Sequence, residues 1–295
     1  METILPNALI QKYKQLSGRC RAVFFSAPTG FGKTVAARAL ATGKRVITLS
    51  AREPALVLPS PDGTWGTLIL DDLQDLDNDD TQKALCALLR DCPDRQFLLL
   101  SRGELPSWLM PFQVAGVLGL LTPRDLMLDR EAAARLLQSH GVSLAQADLS
   151  AVCQEAKGYP LALELLAQRL ERGEPCNRTT LDNTRLDLYR YYEEAVLRRL
   201  EPASRSLLMQ VVPFAPVTLD LARLVTGDNH AGERMAALLR TTSMLQQDKL
   251  GSYRFWPVFR AFLHWELDQH TSENQRRTPM WSIYRQLKGR CVCLV

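Results

Sequence analysis

Residues 26–34 read Ser-Ala-Pro-Thr-Gly-Phe-Gly-Lys-Thr, a loop whose residue types suit one task, holding a chain of phosphates. Backbone N–H groups on open glycine turns can face an anion, and a helix N-terminus behind them adds its positive dipole end. Lys33 would reach the β- and γ-phosphates, and the Thr34 hydroxyl would sit on Mg²⁺. The usual spacing is G-x-x-x-x-G-K-[ST], and Ala27 stands where the first glycine is expected. Gly30 and Gly32 still supply the turns that close phosphate approach requires. The candidate nucleotide contacts are Ala27, Pro28, Thr29, Gly30, Phe31, Gly32, Lys33 and Thr34.

Two more apolar runs end in charge. Leu68-Ile69-Leu70 closes on Asp71 and Asp72. Asp71 would share the Mg²⁺ shell with Thr34, since hard oxygen ligands suit that ion. Asp72 would orient or deprotonate an attacking water, which makes Asp72 and Lys33 the candidate catalytic groups. Phe97-Leu98-Leu99-Leu100-Ser101 closes on Arg102, a cation able to sense a γ-phosphate. Plainer readings exist for both. Asp75, Asp77, Asp79 and Asp80 follow the first run, as in a solvated acidic turn, and a strand-end arginine often serves a surface ion pair.

Such groups must be carried to one edge. The first part of the chain alternates apolar runs with helical patterns, the signature of a parallel sheet flanked by helices. Candidate strands are Arg21–Ser26, Arg45–Ser50, Thr67–Leu70 and Gln96–Ser101, with a glycine-interrupted fifth at Val117–Leu121. Thr81–Arg90 sets Leu85, Leu88 and Leu89 on one helical stripe. Beyond Thr122 helices take over: Arg130–Ser139 with Asp129 as cap and Gly141 as stop, then Leu149–Lys157 and Pro160–Arg172. Gly158-Tyr159-Pro160-Leu161-Ala162-Leu163 reads, on periodicity alone, as the junction of two helices. In Leu186–Leu267, helices precede a hairpin formed by Met244–Gln247 and Tyr253–Phe255, and a last helix starts near Pro257.

The predicted fold is an α/β P-loop NTPase, a parallel sheet flanked by helices, followed by a small helical domain and a winged-helix domain. The expected boundaries are 1–123 for the nucleotide-binding domain, 124–176 for a helical lid, 177–270 for the winged helix and 271–295 for a tail without an assigned fold. At 295 residues the chain can form several ordinary cores. Its net charge of +4 permits nucleic-acid contact without arguing for it, because Arg198, Arg199, Arg205, Arg223, Arg234 and Arg240 are dispersed. No apolar run is long enough for a bilayer, so the expectation is no membrane partner and a cytoplasmic location. The seven cysteines form no C-x-x-C pair and read as free thiols. Four scattered histidines offer no ligand spacing, so no metal is expected beyond nucleotide-bound Mg²⁺.

Together, the runs at 26–34, 68–72, 99–102 and 158–163 resemble the signal-transduction NTPases with numerous domains (STAND). The branch they look most like is the maltose-regulon-activator group of large LuxR-type bacterial transcription regulators, whose winged-helix signature is similar to Tyr253–Leu263. The resemblance covers roughly residues 5–270. It implies a regulatory switch with slow ATP hydrolysis, in which ADP holds a closed monomer while inducer and ATP favour an oligomer. It implies that Pro160 touches adenine or ribose and that Arg102 is a first sensor. Most relatives carry a phosphate-contacting histidine where Trp256 stands, and an indole cannot replace that charged donor. Relatives also continue into sensor repeats and a helix-turn-helix, for which the stretch after residue 270 leaves no room. DNA contact is therefore expected only indirectly or through missing domains. The competing readings are a turnover ATPase of the AAA+ kind and a winged-helix DNA-binding protein.

Overall fold

The computed structural model describes residues 3–41, 45–242, 244–248 and 250–270. By internal contacts the chain divides into two compact units, Met1–Leu188 and Tyr189–Val295. The tail anticipated at 271–295, with Cys291 and Cys293, lies outside the described residues.

The first unit is built on β1 (Ala22–Ser26), β2 (Val46–Ser50), β3 (Thr67–Asp71), β4 (Gln96–Ser101) and β5 (Leu118–Leu121). They form a five-stranded sheet in the order β2-β3-β4-β1-β5, with every neighbouring pair parallel. The inner strands are nearly continuous apolar runs because both of their faces are covered. Phe24, Leu70 and Leu99 are fully buried, whereas the edge strand β2 is only partly covered. Since β4 lies between β1 and β3, Ser26 pairs with Ser101, while Ser50 pairs with Asp71 on the other side. Everything that follows these residues emerges at one edge.

The helices of this unit are α1 (Asn7–Ser17), α2 (Lys33–Leu40), α3 (Asp79–Asp91), α4 (Met110–Val114), α5 (Pro123–Leu126), α6 (Arg130–Ser139), α7 (Gln146–Ala156) and α8 (Pro160–Glu171). Asn78 caps α3 by accepting from the Thr81 N–H at 2.9 Å. Asp79 and Asp80 therefore occupy the first turn, where negative charge complements the helix dipole. Asp129 caps α6 through the Ala132 N–H at 2.8 Å, and Gly141 follows that helix with φ +73°. Pro160 opens α8, where its missing N–H leaves nothing unsatisfied.

The glycine that interrupts β5 has a packing reason. A Cβ on Gly119 would lie 2.7 Å from Leu16 Cδ2, so the bare backbone lets α1 settle on that strand.

The helix α9 (Arg178–Ala195) carries the division between the units. The second unit continues with α10 (Pro202–Val211), α11 (Leu219–Thr226), α12 (Ala231–Thr242), the antiparallel hairpin β6 (Leu245–Gln247) and β7 (Tyr253–Phe255), and α13 (Pro257–His270). Asp248 shapes the hairpin turn by accepting from the Leu250 and Ser252 N–H groups at 2.9 and 3.0 Å. Its core is aromatic. Tyr192 packs on Phe259 and Phe262 at centroid distances of 5.5 and 5.6 Å. Arg198, Arg205, Arg223 and Arg234 each lie within 3.6 Å of a carboxylate oxygen.

Replacing Gly119 with Val should overpack the α1–β5 contact and destabilise the fold by about 1–3 kcal/mol. Urea unfolding would register this, and an unchanged midpoint would show that Leu16 does not occupy that space.

Candidate nucleotide site

The loop after β1 owes its shape to two left-handed residues, Gly30 at φ +78° and Gly32 at φ +72°. Gly32 is the N-cap of α2, and no side chain caps that helix, which leaves its first N–H groups for an incoming anion. Ala27 lies outside the positive-φ positions and is fully buried, so a methyl group fits where other loops use glycine. Its N–H donates to Ser101 O at 3.2 Å, fastening the loop to β4.

Lys33 is buried and donates from Nζ to Ala27 O and Pro28 O at 2.7 and 3.0 Å. Burial pushes its ammonium down to about 8, Arg102 adds to that push, and Asp71 and Asp72 oppose it. Thr34 Oγ1 donates to Asp71 Oδ2 at 2.5 Å. Among the described residues no group of three or more His, Cys, Asp and Glu could hold a metal. A hydroxyl and a single carboxylate nonetheless suit Mg²⁺, which keeps several waters and takes phosphate oxygens as its other ligands.

Asp72 sits at φ +55°, a strained conformation for a non-glycine residue at a strand end. Its Oδ1 lies 3.3 Å from Arg52 Nη2 and 3.4 Å from Arg102 Nε, and it also accepts from Gln74 Nε2 at 3.3 Å. The acidic run is thereby divided: Asp71 faces Thr34, Asp72 faces two guanidinium groups, and Asp75 pairs with Arg52 at 2.8 Å. Arg52 and Gln74 went unnoticed in the sequence. Only the strand order, which puts β2 beside β3, reveals that a residue two past Ser50 reaches Asp72.

The Gly158–Leu163 run meets the loop directly. Tyr159 Oη donates to Thr29 O at 2.8 Å, and the Leu161 N–H donates to Gly30 O at 3.1 Å. Phe31 stacks edge-on against Tyr159 at 5.0 Å. A Cβ on Gly30 would fall 2.0 Å from Tyr159 Oη, so only glycine is compatible with this contact. Beside the loop opens a cavity of about 510 Å³, lined by Gly30, Gly32, Pro160, apolar side chains of α2 and α6, and the segment Thr3–Pro6. Its polar side chains include His140 and Glu164, which approach to 3.3 Å. His140 also meets Glu171 at 2.7 Å. That hydrogen bond raises the imidazole above its ordinary 6.5, burial works against it, and the Glu164 charge adds to the rise.

Sheet order and loop define a Walker-type P-loop domain. The Walker-type ATPase of Pyrococcus abyssi superposes with a TM-score of 0.64 at 15% identity, over 88% of this chain and 95% of that one, showing a shared fold. Residues 192–275 match the family described as the MalT winged helix domain. Over 214 residues the chain is 26% identical to the HTH-type transcriptional regulator MalT of Yersinia enterocolitica serotype O:8 / biotype 1B, covering 68% of this chain and 24% of that protein. The MalT of Yersinia pestis (strain Pestoides F) is 25% identical over the same shares. The alignment thus spans about a quarter of the length of these curated relatives. The chain has a Walker-type P-loop fold, is similar to MalT over the aligned 214 residues, and carries a match to the MalT winged helix domain.

A group whose folded pKa is raised stabilises the fold fully below its unfolded value and loses that contribution as pH rises through the folded value. His140→Gln should therefore lower the thermal midpoint most below pH 6.5, with the deficit shrinking as pH climbs above it. Melting curves of both proteins between pH 5.5 and 9 test this, and a pH-independent deficit would assign His140 a packing role alone.

Proposed function

We propose that this chain is the nucleotide switch region of a MalT-type transcriptional regulator, binding ATP or ADP with Mg²⁺ and hydrolysing ATP slowly. The observation that carries the reading is the meeting of Thr34 Oγ1 and Asp71 Oδ2 at 2.5 Å beside the buried Lys33. In this reading the 27–34 backbone and Lys33 hold the phosphates, while Thr34 and Asp71 hold the ion. Bound Mg²⁺ would screen charge between the β- and γ-phosphates. Asp72 orients the attacking water and Arg102 reads the γ-phosphate. The adjacent cavity, with Pro160 at its rim, receives the nucleoside.

Slow turnover accords with the surroundings of Asp72. The Asp72 Oδ1 engaged by Arg52 and Arg102 is not free to orient a water until one of them moves to a phosphate. The ion-paired arginines of the second unit favour a regulatory role for it over direct DNA contact. The same reading includes a cytoplasmic setting, no membrane partner and self-association in the ATP state.

Calorimetric titration with ADP and ATP provides the test. Lys33→Ala should weaken binding by about a hundredfold, the loss of two charge-assisted hydrogen bonds. Asp71→Asn should remove the Mg²⁺ dependence while leaving metal-free binding in place. Asp72→Asn should bind normally and stop turnover. Hydrolysis faster than about one per second would instead indicate a remodelling ATPase.

A further inference from the structure

The cavity beside the phosphate loop is unequal in its chemistry. Ile4, Leu5, Val35 and Leu161 give it apolar walls, while Glu164 brings a carboxylate to the same space. Glu164 lies four residues beyond Pro160 on α8, hence on the same face and about one turn, roughly 6 Å, further along. Pro160 itself abuts the loop, with its Cβ 4.0 Å from where a Cβ on Gly32 would stand. A nucleotide whose phosphates rest on the loop has its sugar about one such step away, and its base beyond.

The carboxylate is held on one side only. Gln168 Nε2 donates to Glu164 Oε1 at 2.9 Å, and His140 Nε2 lies 3.3 Å from the same oxygen. The other oxygen, Oε2, has no protein partner among the described residues. His140 is fixed in turn by Glu171 at 2.7 Å. A carboxylate anchored through one oxygen, with the other free at a nucleoside-sized cavity, is the arrangement by which acids accept hydrogen bonds from ribose hydroxyls.

We propose that Glu164 is the ribose-recognition residue of this site, accepting from the sugar hydroxyls and selecting ribonucleotides over deoxyribonucleotides, with His140 and Gln168 positioning it. This rests on the nucleotide reading above and adds to it the class of sugar.

The test is competitive binding of ADP, 2′-deoxy-ADP and 3′-deoxy-ADP to the full chain, to Glu164→Ala and to Glu164→Gln, with unfolding midpoints taken without nucleotide. The wild-type chain should prefer ADP over 2′-deoxy-ADP by about tenfold, the worth of one hydrogen bond to a charged group, and a preference over 3′-deoxy-ADP alone overturns the selection. Glu164→Ala should bind all three alike, and Glu164→Gln, which keeps an acceptor oxygen, should retain part of the preference. Equal binding of the three ligands by the wild-type chain overturns the proposal, as does a preference that survives in Glu164→Ala. If the wild-type chain binds none of them, the nucleotide reading itself falls, and this proposal with it.

Discussion

A buried ammonium governs this site. Lys33 lies beneath the loop with its charge answered by two carbonyl oxygens of that same loop and, at longer range, by Asp71 and Asp72. Carbonyl dipoles compensate only part of what water would supply. Burial pushes the lysine down to about 8, and the neighbouring Arg102 adds to that push. A polyphosphate lying on the loop would replace the missing solvation with negative charge. The site is arranged so that its ligand relieves a tension already present in the fold, a general form of preorganisation.

That tension could not be assembled without the strand order. With β4 between β1 and β3, the phosphate loop and the acidic edge are separated by one strand width, and the gap is spanned by Thr34 reaching Asp71. The inserted strand delivers Arg102 between them, where it touches Asp72 and presses on Lys33. On the far side, β2 brings Arg52 to the same carboxylate.

Much of this was legible in the chain because the signals are local. The inner strands are buried apolar runs, and the starts and stops of the strands fall within a residue or two of Arg21–Ser26, Arg45–Ser50, Thr67–Leu70 and Gln96–Ser101. Asp129 as a cap and Asp248 in a hairpin turn are likewise decided by neighbours three or four residues away. Gly119 was read only as an interruption, because its reason, Leu16, is a hundred residues distant. Arg52, the bond from Tyr159 to the loop and the His140–Glu164 pair are illegible for the same cause. Each acquires its partner from sheet order or helix packing, and neither has a period that a single sequence displays.

The contact between the loop and the start of α8 shows how a site of this kind can be made conditional. Two consecutive loop carbonyls, Thr29 O and Gly30 O, are held by Tyr159 Oη and the Leu161 N–H. Gly30 has no room for any side chain against Tyr159. Loop and helix therefore share one arrangement, and α8 cannot rotate or slide without either breaking two hydrogen bonds or drawing the loop with it. Gly158, at φ +75° and with its would-be Cβ 2.9 Å from Leu128 O, constrains the same N-terminal approach of α8 from the side of Leu128. The conformation of the loop and the position of α8 are thus coupled through named atoms. A ligand that favours one placement of that helix must, by linkage, be favoured by it in return.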